Sequence, residues 1–247
     1  MKNNFFCKSA AVYLYEKPSH KSKISSQILY GEKFKILLKN KNWLKIKTSF
    51  DNYIGYVKKI DYINKFKPTH KIKKISSTLY KKPNKNSKIK KKLSFCSLIS
   101  VKSEEKNFYK FDNYWIKKKD VTPINKTENI FSKIKIFKNI KYKWGGTSFK
   151  GIDCSALVQI FYKFNGQFCP RDTKDQIRYF KKNVKINNLK KNNLIFWKGH
   201  VAICLSKNNL IHSYGPKKKV LIMNIKKTIE EIKTKSKLEI ISIKKNG

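Results

Sequence analysis

The first half of this chain repeats itself. Leu14-Tyr15-Glu16-Lys17-Pro18, followed by Ser22-Lys23-Ile24, returns sixty-five positions later as Leu79-Tyr80-Lys81-Lys82-Pro83, followed by Ser87-Lys88-Ile89. Each copy then closes on Phe-Asp-Asn-Tyr, at residues 50–53 and 111–114. That second offset is sixty-one, so the later copy is four residues shorter between the two landmarks. Self-similarity at this period describes two diverged modules, each a supersecondary unit in its own right. Their apolar residues come in short β-branched and aromatic runs between polar turns: Phe34 to Leu38, Trp43 to Lys47 and Tyr53 to Val57, then Leu98 to Lys102 and Asn113 to Ile116. Runs of that length and composition predict strands. Two small β-barrels are expected, at residues 8–64 and 70–124.

The second half has a different pattern. Tyr142-Lys143-Trp144-Gly145-Gly146 leads to Gly151-Ile152-Asp153-Cys154-Ser155, after which Ala156, Leu157, Val158, Phe161, Tyr162 and Phe164 recur at helical spacing. Cys154 therefore stands in the first turn of a helix. Free backbone N–H groups and the aligned peptide dipoles favour negative charge there, which makes Cys154 a candidate nucleophile with an accessible thiolate. Upstream, Ile130, Phe131, Ile134 and Phe137 predict a packing helix within 125–140. Downstream, Pro170-Arg171-Asp172-Thr173 reads as a helix start, and Leu194 to Trp197, His200 to Leu205, Leu210 to Ser213, Val220 to Ile225 and Leu238 to Ile243 read as strands, with a short helix near Ile229. Helices followed by an antiparallel sheet give an α+β domain over 128–247.

A cysteine nucleophile needs a base to take its proton and return it to the leaving amine. The chain has four histidines. His20 and His70 lie in polar surroundings of the repeats and read as surface residues. His200 and His212 fall on strands of the domain that holds Cys154, and a base imidazole in a triad is oriented by a third polar residue. A hairpin turning at Asn208-Asn209 would set His212 level with residues near Cys204, leaving His200 roughly 13 Å away along the strand. On that register the two rings would not meet.

The net charge of +44 suggests polyanion binding, but only Arg171 and Arg178 among the 59 basic residues are arginines. Abundant Lys, Asn and Ile reflect AT-rich codons, so the charge is read as base composition and no specific nucleic-acid partner is expected. The five cysteines have neither disulfide-like nor CxxC spacing and read as free thiols in a reducing compartment. Met1 to Ala11 lacks the apolar core of a signal peptide, and no segment reaches the length of a membrane span. A cytoplasmic location follows as an expectation.

The repeats resemble bacterial SH3-like domains, through Pro18, Gly31-Glu32 and Gly55-Tyr56-Val57 in the first copy and Pro83 and Tyr114-Trp115-Ile116 in the second. Residues 128 to 225 resemble the NlpC-type papain-related cysteine peptidases of bacterial cell-wall peptides. Tyr142-x-Trp144-Gly145-Gly146, Gly151-x-Asp153-Cys154-Ser155 and His200-Val201-Ala202-Ile203 with His212 carry the likeness. It implies a papain-like α+β domain, with Cys154 as nucleophile, His200 as general base, His212 orienting it, and the Cys154 N–H with Tyr142 stabilising the oxyanion. Asn192-Asn193 departs from the family, where Gly-Asp is usual. Relatives with SH3-like domains in front resemble enzymes that cut between D-glutamate and diaminopimelate in peptides with a free L-alanine amine. That resemblance implies Glu16 and Tyr53 at the ammonium, and Asp153, Ser155 and Thr173 along the peptide. Asp153 and Thr173 also have ordinary readings as helix caps.

The sequence thus points to a γ-D-glutamyl-diaminopimelate peptidase acting on recycled peptidoglycan peptides, a reading that requires no metal and no cofactor. The rivals are an exported hydrolase of intact wall and a non-catalytic binder of wall polymer or nucleic acid.

Overall fold

A computed structural model describes residues 4–58 and 60–246. The first repeat supplies β1 (Asn4–Cys7), β2 (Ala11–Tyr15), β3 (Ile24–Leu29), β4 (Lys33–Asn40), β5 (Trp43–Thr48), β6 (Ile54–Lys58) and β7 (Tyr62–Ile63). They form one sheet in the order β3-β2-β6-β5-β4-β1-β7 around Leu14, Ile28, Phe34, Ile46 and Val57. The second repeat supplies β8 (His70–Ile72), β9 (Ser76–Tyr80), β10 (Lys88–Ser94), β11 (Leu98–Ile99), β12 (Ser103–Glu105), β13 (Phe108–Phe111), β14 (Tyr114–Lys117) and β15 (Val121–Pro123). These split into β10-β9-β14-β13-β12 and β11-β8-β15. Both halves are β-structure, as the repeats predict, but among the described residues strand pairing does not close either one into a full barrel.

The duplicated Phe-Asp-Asn-Tyr sits at the same hairpin in both copies and is bent differently. In the second copy Phe111 pairs with Tyr114 across a two-residue turn, and Asp112 takes the left-handed conformation (φ 45°). In the first copy the loop is wider and Asn52 is left-handed (φ 59°). Asp and Asn tolerate that region better than other non-glycine residues, which is why they mark both turns. Each acidic side chain then ties its repeat to a neighbour. The Asp51 carboxylate accepts Gln159 Nε2 at 2.7 Å, and that of Asp112 accepts Lys8 Nζ and the Tyr30 hydroxyl.

The C-terminal domain places α1 (Cys154–Phe164) against the sheet β21-β20-β19-β18-β22, all antiparallel: β18 (Leu194–Trp197), β19 (His200–Cys204), β20 (Asn209–Tyr214), β21 (Lys219–Asn224) and β22 (Ser242–Lys244). A two-stranded ribbon, β16 (Thr147–Ser148) and β17 (Gly151–Ile152), precedes α1, and α2 (Thr173–Tyr179) follows it. Alternation along β18 buries Leu194 and Phe196 under α1 and turns Ile195 and Trp197 to the other face. There they meet Ile225 and Ile232 of α3 (Ile225–Ser236). Both faces of the sheet are covered, so its strands read as continuous apolar runs.

Two expectations are corrected, and one departure from the family is explained. The stripe from Ile130 to Phe137 is buried at Phe131, Ile134 and Phe137, but it forms turns and one 3-10 turn (Ile134–Phe137), because left-handed Phe131 and Asn139 break the helical path at both ends. The last strand begins at Ser242, where pairing with β18 starts, and does not include Leu238. The atypical Asn192-Asn193 makes the turn in which Gly-Asp is usual. Asn192 adopts φ 70°, and Asn193 Oδ1 accepts the Lys190 N–H at 2.7 Å.

The three units meet at a junction built by side chains of the first repeat. Gly31 has φ 80°, and any Cβ there would run into the Leu98 carbonyl of the second repeat, so a signature glycine is also a contact glycine. Next to it, Glu32 holds Lys163 of α1 at 2.8 Å. From the second repeat, Phe95 stacks on Phe164 (4.7 Å, 14°) and joins the core of the C-terminal domain. On the other side β3 packs on the ribbon, where Thr147 N donates to Gln27 Oε1 at 2.7 Å. Gly145 (φ 68°) would place a Cβ 2.7 Å from Ile24 Cγ2. The first repeat is thereby fixed against the loop that leads to Cys154.

Candidate active site

Asp153 caps α1 as the sequence predicts: its Oδ1 accepts the Ala156 N–H at 2.8 Å. The cap sets Cys154 at the first helical position, buried at 6% exposure where it lines a cleft, its thiol donating to Gly199 O at 3.8 Å, next in sequence to His200. The N–H groups of Cys154 and Ser155 belong to the first turn, which leaves them without intrahelical partners and free to meet an anion.

His200 and His212 do meet. Ile203 lies opposite Ile211 and Cys204 opposite Leu210, so the turn centres on Lys207 and His212 stands level with Ala202. The expected hairpin register is off by about two positions. Ser206 decides it: its hydroxyl accepts the N–H groups of Asn208 and Asn209, at 3.2 and 3.1 Å, and closes a wider loop than a turn at Asn208-Asn209 would make. With two residues between their levels and on one face of the sheet, His200 Nε2 reaches His212 Nδ1 at 3.0 Å. His212 is fully buried, stacks on Tyr214 (4.7 Å, 12°), and points Nε2 at Met223 Sδ, 3.4 Å away.

Burial shifts the groups of the site in the opposite direction to that expected from the helix terminus. Burial pushes the Cys154 thiol up to about 12, with the Asp153 carboxylate adding to the effect, and this outweighs the lowering by the Val201 backbone and by Arg171. Burial also brings His200 down to about 4, and His212 is lowered well below the usual range by burial and by His200. All three shifts favour the uncharged forms of the thiol and the imidazoles.

A cleft of about 310 Å³ opens over the sulfur. Glu16, Tyr53, Tyr142, Asp153, Ser155 and Thr173, the six residues singled out for substrate, all line it with Cys154. Sequence reasoning missed Asp172, which also lines it and lies 3.5 Å from the Tyr53 hydroxyl. Asp172, and not Thr173, is the residue ahead of α2, and it makes no side-chain cap. Burial raises its carboxyl, and raises the Tyr53 hydroxyl to about 12. Asp172 was visible only as part of a helix-start tetrapeptide. Trp144, 62% exposed, stands at the cleft mouth. No group of three or more metal-ligating side chains is found among the described residues.

A helix that opens on a cysteine, packed against an antiparallel sheet carrying paired histidines, is the architecture of the papain-like cysteine peptidases, and this chain is a cysteine peptidase. Residues 139–238 match the NlpC/P60 family, and residues 14–61 match the bacterial dipeptidyl-peptidase Sh3 domain. Over 236 residues the chain is 27% identical to a γ-D-glutamyl-L-lysine dipeptidyl-peptidase of Bacillus subtilis (strain 168), covering 84% of this chain and 78% of that one. A protein of the same name from Bacillus cereus (strain ATCC 10987 / NRS 248) is 27% identical over 239 residues, covering 82% and 71%. The crystal structure of an NlpC/P60 family protein from Bacillus cereus ATCC 10987 superposes with a TM-score of 0.83 at 22% identity, over 98% of this chain and 99% of that one.

Proposed function

We propose that this peptidase hydrolyses the γ-D-glutamyl-diaminopimelate bond of short peptidoglycan-derived peptides whose L-alanine amine is free. The observation that carries the proposal is the composition of the cleft: the sulfur of Cys154 shares about 310 Å³ with Glu16 and Tyr53 of the first repeat and with Asp172. Two carboxylates and a phenol from elements outside α1 suit an ammonium, and charge-assisted hydrogen bonds are the stronger kind. In this reading Glu16 and Tyr53 close the cleft two residues ahead of the scissile bond. The two relatives named for γ-D-glutamyl-L-lysine cleavage support the D-glutamyl side of the bond. Diaminopimelate differs from L-lysine by one added carboxylate, and it is the third residue we assign.

In the proposed mechanism the Cys154 sulfur attacks the γ-carbonyl carbon as its proton passes to His200 Nδ1. His200 Nε2 keeps its hydrogen and donates it to His212 Nδ1, so the His212 proton sits on Nε2, facing the weak acceptor Met223 Sδ. This tautomer chain leaves Nδ1 of His200 basic. The oxyanion takes hydrogen bonds from the Cys154 N–H and Tyr142, whose hydroxyl is kept protonated by burial and by the neighbouring Cys154 and Asp153. Collapse breaks the C–N bond, His200 returns the proton to the leaving amine, and water then hydrolyses the thioester. Residues 8–64 and 70–124 would act as SH3-like modules, the first closing the cleft and the second bracing it. A cytoplasmic, reducing location agrees with five buried, unpaired cysteines. No helix among the described residues is long and apolar enough to cross a membrane.

The test is incubation of the protein with L-Ala-γ-D-Glu-diaminopimelate and with L-Ala-γ-D-Glu-L-Lys, followed by mass spectrometry. Release of the third amino acid with the dipeptide L-Ala-D-Glu is expected, faster from the diaminopimelate peptide. A faster rate on the lysine peptide would reassign the third residue, and no release from either would overturn the proposal.

A further inference from the structure

Arg171 is 3% exposed, and each of its polar edges is occupied. Nη2 donates to Asp153 Oδ2 at 2.6 Å, Nη1 to Asp153 Oδ1 at 3.0 Å and to Ser155 Oγ at 2.9 Å, and Nε to Ser26 Oγ at 3.0 Å. Asp153 and Ser155 flank Cys154 in sequence, and Ser26 belongs to β3 of the first repeat. The same Asp153 carboxylate accepts the Ala156 N–H that starts α1 and, through Oδ2, the Gly145 N–H at 2.9 Å. One guanidinium therefore holds the start of the helix, the loop that carries Tyr142 and Trp144, and the neighbouring module.

The residue type is informative. All but two of the 59 basic positions in this chain are lysine, so a retained arginine needs a reason. The other one, Arg178, is 81% exposed and 3.8 Å from Asp175, where nothing requires a guanidinium. At 171 the planar fork is required: a lysine ammonium is a single point and cannot meet both Asp153 oxygens, Ser155 and Ser26 together.

We propose that Arg171 is a positioning residue that couples docking of the first repeat to the reactivity of Cys154. Ser26 orients the fork, the fork orients Asp153, and Asp153 fixes the first turn of α1 and the Gly145 loop. Loss of the Ser26 contact would let the fork and its carboxylate rotate, and the sulfur would lose its alignment with the groups that attack and stabilise. Arg171 also offsets the effect of the Asp153 charge on the thiol. A module seated on the site thereby switches on the nucleophile as well as bounding the cleft. This rests on the reading of Cys154 as the nucleophile.

The experiment uses the full chain and reads the rate of Cys154 alkylation by iodoacetamide against pH, by peptide mass spectrometry, which needs no knowledge of the substrate. Near-UV circular dichroism reports the fold. Arg171→Lys is expected to slow alkylation and kcat by at least about tenfold with KM changed less than about threefold, and Ser26→Ala by about threefold in the same direction. A purely structural role would lower the unfolding temperature and leave the alkylation profile of the folded protein alone. Wild-type alkylation in Ser26→Ala overturns the coupling to the first repeat, and this variant decides the matter if Arg171→Lys does not fold. Wild-type alkylation in folded Arg171→Lys overturns the positioning role. If wild-type protein does not label Cys154 ahead of its other four thiols, the nucleophile reading fails instead.

Discussion

His200 and His212, twelve residues apart on adjacent antiparallel strands, are joined ring to ring by a 3.0 Å contact from Nε2 to Nδ1. That contact assigns the tautomers of both rings once His200 Nδ1 is asked to accept a proton, and it makes His212 an acceptor toward the base. An amide at position 212 can still accept through its oxygen, whereas a methyl group cannot. His212→Asn or His212→Gln is therefore expected to keep at least about tenfold more kcat than His212→Ala, measured at saturating peptide. Equal losses in all three would show that His212 does not act by orienting His200.

Cys154→Ala should abolish turnover with an unchanged circular dichroism spectrum, and Cys154→Ser should retain very little, since a serine hydroxyl is a far weaker nucleophile here. Turnover near wild type in Cys154→Ala would end the cysteine mechanism for this site.

The pH dependence follows from burial of the imidazoles. His200 falls from 6.5 to about 4 in the folded chain, so the base stays neutral well below neutrality and kcat/KM should hold to about pH 5 before dropping. Stability has the same sign. Between 6.5 and about 4 the unfolded chain binds a proton at His200 that the native chain refuses. The native state is thus progressively destabilised as pH falls through that window, by roughly 3 kcal/mol at most from this one group. Unfolding midpoints in urea from pH 8 to 4 check this, and His200→Gln should flatten the acid side.

Blocking the peptide amine should cost the most at the far end of the cleft. A charge-assisted hydrogen bond of about 1.5–3 kcal/mol is lost with N-acetylation, so kcat/KM is expected to fall at least about tenfold. Glu16→Gln and Asp172→Asn should each narrow the gap by slowing only the free peptide. Equal rates on both peptides with wild-type protein would remove Glu16, Tyr53 and Asp172 from the ammonium site and favour an enzyme of intact wall.

Gly31→Ala tests the junction of the repeats. Its left-handed backbone and the facing Leu98 carbonyl leave no space for a methyl group. A loss on the order of 2 kcal/mol or more is expected, seen as a lower midpoint in urea, and an unchanged midpoint would mean that the junction yields without cost.

Much of this protein was written locally. The duplicated Leu-Tyr-x-Lys-Pro and Phe-Asp-Asn-Tyr segments marked two β-rich units, and the apolar spacing after Cys154 marked α1 with Asp153 as its cap. These follow from interactions between near neighbours in sequence: strand and helix periodicity, turn residues that tolerate positive φ, and a carboxylate within reach of a free N–H. Where local pattern misled, as at residues 130–137, the apolar positions were right and only the path between them was wrong.

What the tertiary structure alone decided depends on distant groups. The Ser206 loop set the β19–β20 register and so brought two histidines together, a matter of one turn's hydrogen bonds that periodicity does not encode. Burial raises the Cys154 thiol, because desolvation by the assembled domain outweighs the lowering by Arg171 and by the Val201 and Ser155 backbone. The fold brings Asp172 into the cleft beside Tyr53, and lets Arg171 join Ser26 to Asp153, 145 and 18 positions away. Sequence spacing reports which residues share an element, whereas solvent exclusion and contacts between units exist only once the elements are packed.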